Sequence, residues 1–537
     1  MPSIVRLSIS LALLGTALAG PVQNPSIVLP PSARVHQEAV VQIFNESYQA
    51  YREFAFGHDD LSPLSQSFSD GRNGWGASIV DALDTLFLMG LDDLFLEAVN
   101  FSSHIDFSVS QTPDTVSVFE TTIRYVGGLL SAYELSGQKF PALLAKAKEV
   151  GDKLTFAWVG SNDVPFGELD FSTNSPQIST SNIAEAGTLT LEFATLSKHT
   201  GNQTYADLAV KSVTHIANLV SLAAQGIDPS SGDFVGDFVS WGGGSDSYFE
   251  YLIKFARLSN TNDNLFADTW HTAADSSIKF LRRTSTVGNF VYLADFEEGT
   301  IFHEGSHLAC YYGGNWLFAG SLLNNQTIFN VGLDLVDACW NTYAGDATGI
   351  GPETFAFISS DGNFTGSSIS AEQLAFYNEH GYYITGSDYI NRPEVLESNF
   401  YAYRATGDQK YLDRAASAIN SFNKFLKTST GFAGINDIND PNTSKIDDTP
   451  SFWFAEVLKY LYLTFDDPNR ISLDKFIFNT EAHPFIAPPA KPVYGSGKVL
   501  PPNGTFKLKT GPPLPAVSPS AKQPQGVKVP SQVRRSV

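Results

Sequence analysis

Between about residue 35 and residue 485, apolar residues recur at the spacing of α-helices, with loops containing Gly or Pro between them. This spacing places residues i, i+3, i+4 and i+7 on one face, so each stretch predicts a helix. Several stretches end at glycine, the residue that most readily ends a helix, as at Gly137, Gly201 and Gly407. Strand-like alternation is scarce outside residues 475–478. The pattern predicts an all-α protein.

Polar residues recur along these helices with a period near 60. The intervals are 65, 61 and 61 residues between four of them and 62 between two others, which are Glu120, Glu185, Asp246 and His307, then Glu394 and Glu456. Such a period fits two helices with their connections, the unit of a helical-hairpin repeat.

The length of the periodic region predicts about seven such hairpins. No equivalent polar residue is evident between His307 and Glu394, so the count follows from length alone. Hairpins stack into an open solenoid or close into a toroid. Closure is favoured, because it would gather one polar residue from each inner helix around a single axis.

Composition and net charge exclude some classes of binding partner. The 537 residues carry 34 Lys and Arg against 56 Asp and Glu, a formal net charge of −22. Nucleic acids and anionic membranes both demand clustered basic residues, so neither is an expected partner. A hydrophobic content of 43% suffices for a large core.

Residues 1–19 have the pattern of a secretory signal. Arg6 is followed by an apolar run and by Ala17-Leu18-Ala19, a small-residue cleavage site. A membrane anchor would need about 20 apolar residues, more than this run contains. Seven N-x-S/T sequons also favour secretion or a lumenal location; they lie at Asn45, Asn100, Asn202, Asn325, Asn363, Asn442 and Asn503.

The two cysteines, Cys310 and Cys339, would meet an oxidising compartment. A disulfide between them is favoured over two free thiols. At the other end, residues 488–537 hold eleven of the 28 prolines, eight Lys or Arg and no acid. This composition predicts a disordered, basic tail, which leaves residues 35–487 as the folded domain.

The periodic acids have neighbours that suit sugar chemistry. Arg124 lies one helical turn after Glu120, Asp246 follows the glycine loop 242–244, and Glu394 follows a proline suited to a helix's first turn. Glycoside cleavage needs one protonated carboxyl and one ionised carboxylate; a separation of about 6.5–9.5 Å admits a water and inverts the anomeric centre.

Ordered motifs then identify a family. The chain resembles glycoside hydrolase family 47, the class I α-1,2-mannosidases, over roughly residues 35–485. The matching motifs are FGHDDL at 56–61, GWGASIVDALDTL at 74–86, SVFETTIRYVGG at 117–128, AEAGTL at 184–189, SDSYFEY at 245–251, RPE at 392–394, ES at 397–398 and FNTEAHP at 478–484.

The resemblance implies an (α/α)7 barrel of seven helical hairpins, plugged at one end by a C-terminal β-hairpin. It also implies a calcium-dependent exo-glycosidase that removes terminal α-1,2-linked mannose from high-mannose N-glycans with inversion. The two cysteines look like the disulfide pair of secreted fungal members.

Site roles follow from the same resemblance. Glu120 and Asp246 match the two candidates for the general acid, and Glu394 matches the general base. Thr480 matches the one direct protein ligand of Ca²⁺. The expected substrate-binding or water-holding residues are Arg124, Glu185, His307, Glu397, Phe452, Glu456 and Glu481. Taken singly, Arg124 could merely pair with Glu120, and His307 could be a core histidine.

Two other functions fit parts of the sequence. A mannose-binding quality-control factor could use the same barrel as a lectin with little turnover, and an acidic scaffold could use it as a platform. The retained carboxylates and Thr480 favour the enzyme, since a lectin could lose the acid or the base. The expected partners are high-mannose glycans, on glycoproteins or free, and the expected state is a monomer.

Overall fold

The computed structural model describes residues 19–363 and 365–499. The predicted signal segment therefore lies outside the described residues except for Ala19, and so do residues 500–537 of the predicted tail. No helix in the described ranges has both the length and the apolar character needed to cross a membrane.

The helices dominate, as predicted. In chain order they are α1 (Ala33–Phe54), α2 (Ala77–Met89), α3 (Asp92–Ser102), α4 (Val118–Thr121), α5 (Gly127–Leu135), α6 (Pro141–Leu154), α7 (Ile183–Gly187), α8 (Thr190–Thr200), α9 (Thr204–Leu219), α10 (Asp246–Ser259), α11 (Leu265–Phe280), α12 (Tyr311–Leu322), α13 (Gln326–Ala344), α14 (Ala371–His380), α15 (Glu394–Thr406), α16 (Gln409–Phe425) and α17 (Leu458–Thr464). Short π-helical segments, Thr122–Val126 and Trp453–Val457, precede α5 and α17, and 3-10 turns occupy Thr155–Ala157 and Leu308–Cys310.

Within the described chain, seven of these helices form a closed inner ring. Each contacts the next, and the last contacts the first, in the order α2, α5, α8, α10, α12, α15 and α17. Seven others pack behind them, namely α1, α3, α6, α9, α11, α13 and α16. The fold is thus the predicted toroid of seven hairpins. Inner helices are buried almost all round, as α17 illustrates, since every one of its residues is buried.

The helix ends predicted at Gly201 and Gly407 are confirmed. α8 ends before Gly201 and α15 before Gly407, and both glycines adopt the left-handed conformation, with φ of 74° in each case. The missing polar residue between His307 and Glu394 also has an explanation. Their 87-residue interval contains α14 and two strands inserted between an outer and an inner helix, so no inner helix is lacking.

Short strands are more numerous than the sequence pattern suggests. They are β1 (Asp60–Ser62), β2 (Ser67–Ser69), β3 (Val116–Ser117), β4 (Glu168–Asp170), β5 (Ser175–Pro176), β6 (Ser181–Asn182), β7 (Gly226–Ile227), β8 (Phe234–Val235), β9 (Arg282–Thr284), β10 (Val291–Leu293), β11 (Asp295–Glu297), β12 (Thr300–Phe302), β13 (Glu304–Ser306), β14 (Thr354–Ala356), β15 (Tyr383–Gly386), β16 (Phe476–Phe478) and β17 (Pro484–Ile486). All pair antiparallel, in sheets of two or three strands. At two to four residues each, they are too short to show alternation.

The β16–β17 hairpin is the predicted plug. Phe476 pairs with Ile486 and Phe478 with Pro484, and the turn between them lies inside the inner ring. Asn479 Nδ2 donates to the Ile123 carbonyl at 2.9 Å, and Lys459 Nζ donates to the Ala482 carbonyl at 2.7 Å. The turn thereby becomes part of the barrel's interior.

Two glycines in the inner ring let the plug approach. A Cβ on Gly127 would lie 2.7 Å from Asn479 Nδ2 and 2.9 Å from His483 Cδ2. A Cβ on Gly128 would lie 2.6 Å from the Val80 carbonyl oxygen. Any larger residue at either position would therefore displace the plug or the neighbouring helix.

Contacts between buried charged side chains hold the plug in the barrel. His483 Nδ1 lies 2.7 Å from Asp84 Oδ2, and Lys459 Nζ lies 2.8 Å from Asp84 Oδ1. Burial alone would lower the pKa of His483, but the Asp84 and Asp81 carboxylates raise it. Two cations, His483 and Lys459, thus face two carboxylates, Asp84 and Asp81, and the four buried charges compensate one another.

The chain around the plug is tied to α10. Arg257 donates to the Asp474 carbonyl at 2.7 Å and to the Pro488 carbonyl at 2.8 Å. Beyond the predicted domain end at residue 487, Tyr494 is buried and donates to Asn260 Oδ1 at 2.7 Å. Residues 488–499 thus pack on the barrel, whereas composition predicts disorder from residue 488.

The predicted disulfide is present. Cys310 and Cys339 are bonded, which joins the N-terminal end of α12 to the outer helix α13. The bond closes a local loop and leaves no free cysteine in the chain.

Candidate active site

A cavity of about 610 Å³ opens where the inner helices begin. Its described lining carries nine carboxylates and three guanidinium groups. All but one of the predicted site residues contribute to its wall; these are Glu120, Arg124, Glu185, Asp246, Glu394, Glu397, Phe452, Glu456, Thr480 and Glu481. The periodic acids therefore do meet in one place, because each belongs to the first turns of an inner helix or to the segment leading into it.

Glu120 lies at one side of the cavity, held ionised by arginine. Its backbone N–H donates to Ser117 Oγ, which caps α4. Its Oε2 accepts from Arg124 Nε at 2.7 Å and lies 3.5 Å from Arg72 Nε. Burial would raise the pKa of Glu120, but the two guanidinium groups outweigh it and lower that pKa. Glu120 is thus a carboxylate with its charge already paired.

Arg124 connects the cavity wall to the plug. Its side chain also contacts Glu481, and its Nη1 lies 3.3 Å from Asp81 Oδ2. The guanidinium carbon is 5.9 Å from the centre of the Phe452 ring. Arg124 belongs to a π-helical segment, and Glu456 across the ring belongs to the other one. Such local widening of a helix is frequent at functional sites.

Asp246 has the opposite electrostatics from Glu120. It begins α10, where its Oδ1 accepts from the Ser247 backbone N–H at 2.8 Å. In the described chain no arginine or lysine lies within ion-pair distance of it, and Arg392 acts on it only from farther away. Burial, with added repulsion from Glu250 and Glu394, raises the pKa of Asp246 to about 7. Asp246 is therefore a carboxyl that can hold a proton near neutrality, unlike Glu120.

Glu394 is the complementary group. It is the first residue of α15, and its Oε2 lies 2.7 Å from His307 Nδ1 while its Oε1 lies 3.8 Å from Arg392. Burial would raise the pKa of Glu394, yet His307 and Arg392 outweigh burial and lower it. One cavity thus presents a protonated carboxyl and an ionised carboxylate, the pairing that acid–base catalysis requires.

His307 is the predicted site residue that does not line the cavity. Its side chain is buried behind Glu394, with Nε2 2.7 Å from the Tyr343 hydroxyl. The sequence motif identifies it as a substrate-binding candidate, but in the structure it reaches the site only through Glu394.

The cavity floor is crowded with carboxylates. Burial and mutual repulsion raise the pKa of Glu397 and Glu456 well above the usual range. Burial raises the pKa of Glu481 to about 8 despite the nearby Arg124. Thr480, at the tip of the plug, lies among them, and its backbone N–H donates to the Tyr251 hydroxyl at 3.2 Å. The floor is therefore rich in oxygen ligands and short of positive charge.

Metal ligation by side chains alone is not evident. In residues 19–363 and 365–499, no three His, Cys, Asp or Glu side chains form a group that could hold an ion. Glu185, on the opposite wall, accepts from Ser181 Oγ at 2.8 Å through its Oε2.

Several site residues escape the sequence pattern. Arg72 and Glu168 line the cavity from a loop and a short strand, where no helical periodicity marks them. Arg392 pairs with Glu353 at 2.6 Å, which orients its guanidinium beside Glu394. Glu250, by contrast, could be found from the sequence, because it lies one helical turn after Asp246 on the same helix.

Comparison with known proteins identifies the family. The family model described as Glycosyl hydrolase family 47 matches residues 43–487. The chain belongs to glycosyl hydrolase family 47. A probable mannosyl-oligosaccharide alpha-1,2-mannosidase 1B of Aspergillus niger is 38% identical over 514 residues, which cover 88% of this chain and 98% of that protein. A mannosyl-oligosaccharide alpha-1,2-mannosidase of Coccidioides posadasii is 38% identical over 516 residues, covering 90% and 98%.

A solved structure matches most of the chain. The alpha-1,2-mannosidase from Trichoderma reesei superposes with a TM-score of 0.81 at 37% identity, covering 85% of this chain and 99% of that one. The resemblance read from the motifs is thus confirmed, as is the fold it implies. The chain is a glycoside hydrolase, and its acid-lined cavity is the candidate active site.

Proposed function

We propose that this family 47 hydrolase removes terminal α-1,2-linked mannose from high-mannose N-glycans, with inversion and with a requirement for calcium. The relatives' names support the sugar and the linkage. The observation that carries the reaction type is the opposed pair in one cavity, with the pKa of Asp246 raised to about 7 and that of Glu394 lowered.

The protonation states of Glu394 and Asp246 assign their roles in the reaction. Glu394 accepts a proton from a water whose oxygen attacks the anomeric carbon, while the bond from that carbon to the glycosidic oxygen breaks. Asp246 gives its proton to the departing oxygen, so a mannose and a shortened oligosaccharide result. Glu120 is a poor donor because Arg124 and Arg72 keep it ionised; its pairing with Arg124 instead holds the arginine in place.

Calcium fits the residues of the floor. The donors there are oxygen atoms only, which suit a hard cation. The raised pKa values of Glu397, Glu456 and Glu481 reflect repulsion or burial that a divalent cation would relieve. Thr480 would bind the ion directly, and the neighbouring carboxylates would hold its waters. A bound Ca²⁺ would supply positive charge that grips sugar hydroxyls at the floor.

A lectin on the same barrel is the weaker alternative. Binding alone needs neither the proton on Asp246 nor the ionised Glu394, and both groups are present with distinct environments. We also propose secretion, which the pattern of residues 1–19 supports. The monomeric state stays a prediction.

One assay tests the proposal. Purified protein is incubated with a high-mannose oligosaccharide, with and without EDTA, and released mannose is measured. We expect release that chelation abolishes and added calcium restores, and none from Glu394→Gln. Proton NMR of the first product should show β-mannose. Absence of release from the intact protein would refute the hydrolase, and first-formed α-mannose would refute inversion.

A further inference from the structure

A second cavity of about 360 Å³ adjoins the active-site cavity. It lies between the loop that leads into α10 and the strands β11, β13, β14 and β15, and Gly243 lines both cavities. We call it the side chamber. Its wall includes Ser240, Trp241, Asp295, Glu304, Tyr312 and Thr385. Its volume lies within the roughly 300–1,000 Å³ of small-molecule sites.

The wall between the two cavities is thin. It consists of the backbone of Gly242 and Gly243 together with Leu308 and Ala309. A Cβ on Gly243 would lie 3.0 Å from Leu308 Cδ2, and one on Gly242 would lie 3.1 Å from Ser240 Oγ. Because these glycines have no side chains, the wall between the cavities projects less. One ligand could therefore extend across it and occupy both cavities.

The side chamber has the chemistry of a sugar site. Asp295 and Glu304 supply carboxylates, and burial is the main cause that raises the pKa of each, to about 7 for Asp295. No group in the described chain donates a hydrogen bond to the Glu304 carboxylate. It is therefore an acceptor available to a ligand hydroxyl.

Apolar surface and hydroxyls complete the wall. The half-buried Phe238 contributes aromatic surface, against which the apolar face of a sugar ring packs well. Thr385 Oγ1 donates to Thr354 Oγ1 at 2.9 Å, which places two hydroxyls at the rim. The paired carboxylates would repel an anion, whereas the neutral, donor-rich hydroxyls of a sugar satisfy them.

We propose that the side chamber is a second sugar subsite, which holds an uncleaved mannosyl residue of the same oligosaccharide whose terminal residue occupies the active-site cavity. The inference rests on the proposed function, since it assumes a mannose-containing substrate. It implies selection by size, because a disaccharide fills the active-site cavity alone and an extended or branched oligosaccharide reaches over Gly242 and Gly243.

Two variants test the subsite in different ways. Glu304→Gln removes the charge of the available acceptor, and Thr385→Trp fills the rim from an exposed strand position. Glu297→Gln is the matched control, because Glu297 is an exposed carboxylate on the neighbouring β11 and does not line the chamber. Thermal unfolding of each variant should match the unaltered protein within a few degrees.

Kinetics on two substrates give the decisive result. For a high-mannose oligosaccharide, we expect KM to rise about tenfold in both variants, the equivalent of one lost polar contact to a charged group, with kcat within twofold. For α-1,2-mannobiose and for the control, we expect no change. Equal KM changes on both substrates, or unchanged KM in both variants, would overturn the subsite.

Binding separates this inference from the proposed function. In the Glu394→Gln background, calorimetry with the intact oligosaccharide measures affinity without turnover. Weaker binding by Thr385→Trp, Glu394→Gln supports the subsite even if the unaltered enzyme releases no mannose, which would refute only the hydrolase. Identical binding with and without Thr385→Trp would overturn the subsite even if hydrolysis is observed.

Discussion

His307 Nδ1 lies 2.7 Å from Glu394 Oε2, and His307 Nε2 lies 2.7 Å from the Tyr343 hydroxyl. A carboxylate oxygen only accepts hydrogen bonds, so Nδ1 carries the proton and donates it to Glu394. Nε2 makes the second hydrogen bond, with the Tyr343 hydroxyl. This chain of two hydrogen bonds fixes the carboxylate and, with Arg392, keeps its pKa low.

Replacing His307 should therefore move the pH profile. In His307→Phe the carboxylate loses its donor, so the pKa of Glu394 rises. A base works only above its pKa, and the acidic limb of kcat/KM should shift to higher pH, with activity at pH 5 falling more than activity at pH 7. His215→Phe, which removes the hydrogen bonds of His215 with Asp163 and the Gly232 carbonyl outside the active-site cavity, is the control. A uniform loss of activity with an unmoved acidic limb would contradict this role of His307.

Leaving-group chemistry should distinguish Asp246 from Glu120. Fluoride needs no proton to depart, so Asp246→Asn should retain substantial activity on α-mannosyl fluoride while losing about 10²–10⁴-fold on the oligosaccharide. Glu120→Gln should not be rescued in this way, because it disturbs Arg124 rather than proton delivery. The basic limb of the unaltered enzyme should fall near pH 7, the pKa of Asp246. Selective rescue of Glu120→Gln would assign the proton to Glu120 instead.

The sequence predicts the barrel well because its signals are local. Apolar periodicity marks the inner helices, glycine marks their ends, and the recurring acids mark their first turns. The inserted segment before Glu394 broke the 60-residue period without breaking the ring. Local patterns of this kind need no knowledge of the partner elements.

The electrostatics of the site could not be predicted in the same way. Whether Asp246 or Glu120 carries a proton depends on which cations fold beside each, and Arg72 reaches Glu120 from a loop without periodicity. The motif predicts that His307 is a site residue, but it does not indicate that the side chain lies behind Glu394. The π-helical turn that carries Arg124 likewise depends on packing against the plug.

Calcium should stabilise the fold as well as the reaction. A ligand that binds only the native state at 100 times its Kd adds about 2.7 kcal/mol of stability. We therefore expect EDTA to lower the Tm and calcium to restore it. Thr480→Val should abolish most of this calcium-dependent shift, since it removes the hydroxyl at the floor. Thr464→Val, whose hydroxyl donates within α17 to the Tyr460 carbonyl, is the control. An undiminished shift in Thr480→Val would exclude the Thr480 hydroxyl as a ligand.

The contact between the plug and the inner ring should be sensitive to side-chain size. In Gly127→Ala the new methyl group would meet Asn479 Nδ2 and His483 Cδ2 below 3.0 Å, and neither side chain has room to retreat because both are buried and hydrogen-bonded. Overpacking of this kind costs typically 1–3 kcal/mol. Because Thr480 and Glu481 lie between those two residues, calcium affinity should fall together with stability. Gly71→Ala, where a Cβ meets nothing within 4 Å, should change neither quantity. Denaturant unfolding and calcium titration measure both effects, and a Gly127→Ala protein with unaltered stability would show that the plug does not press against this helix.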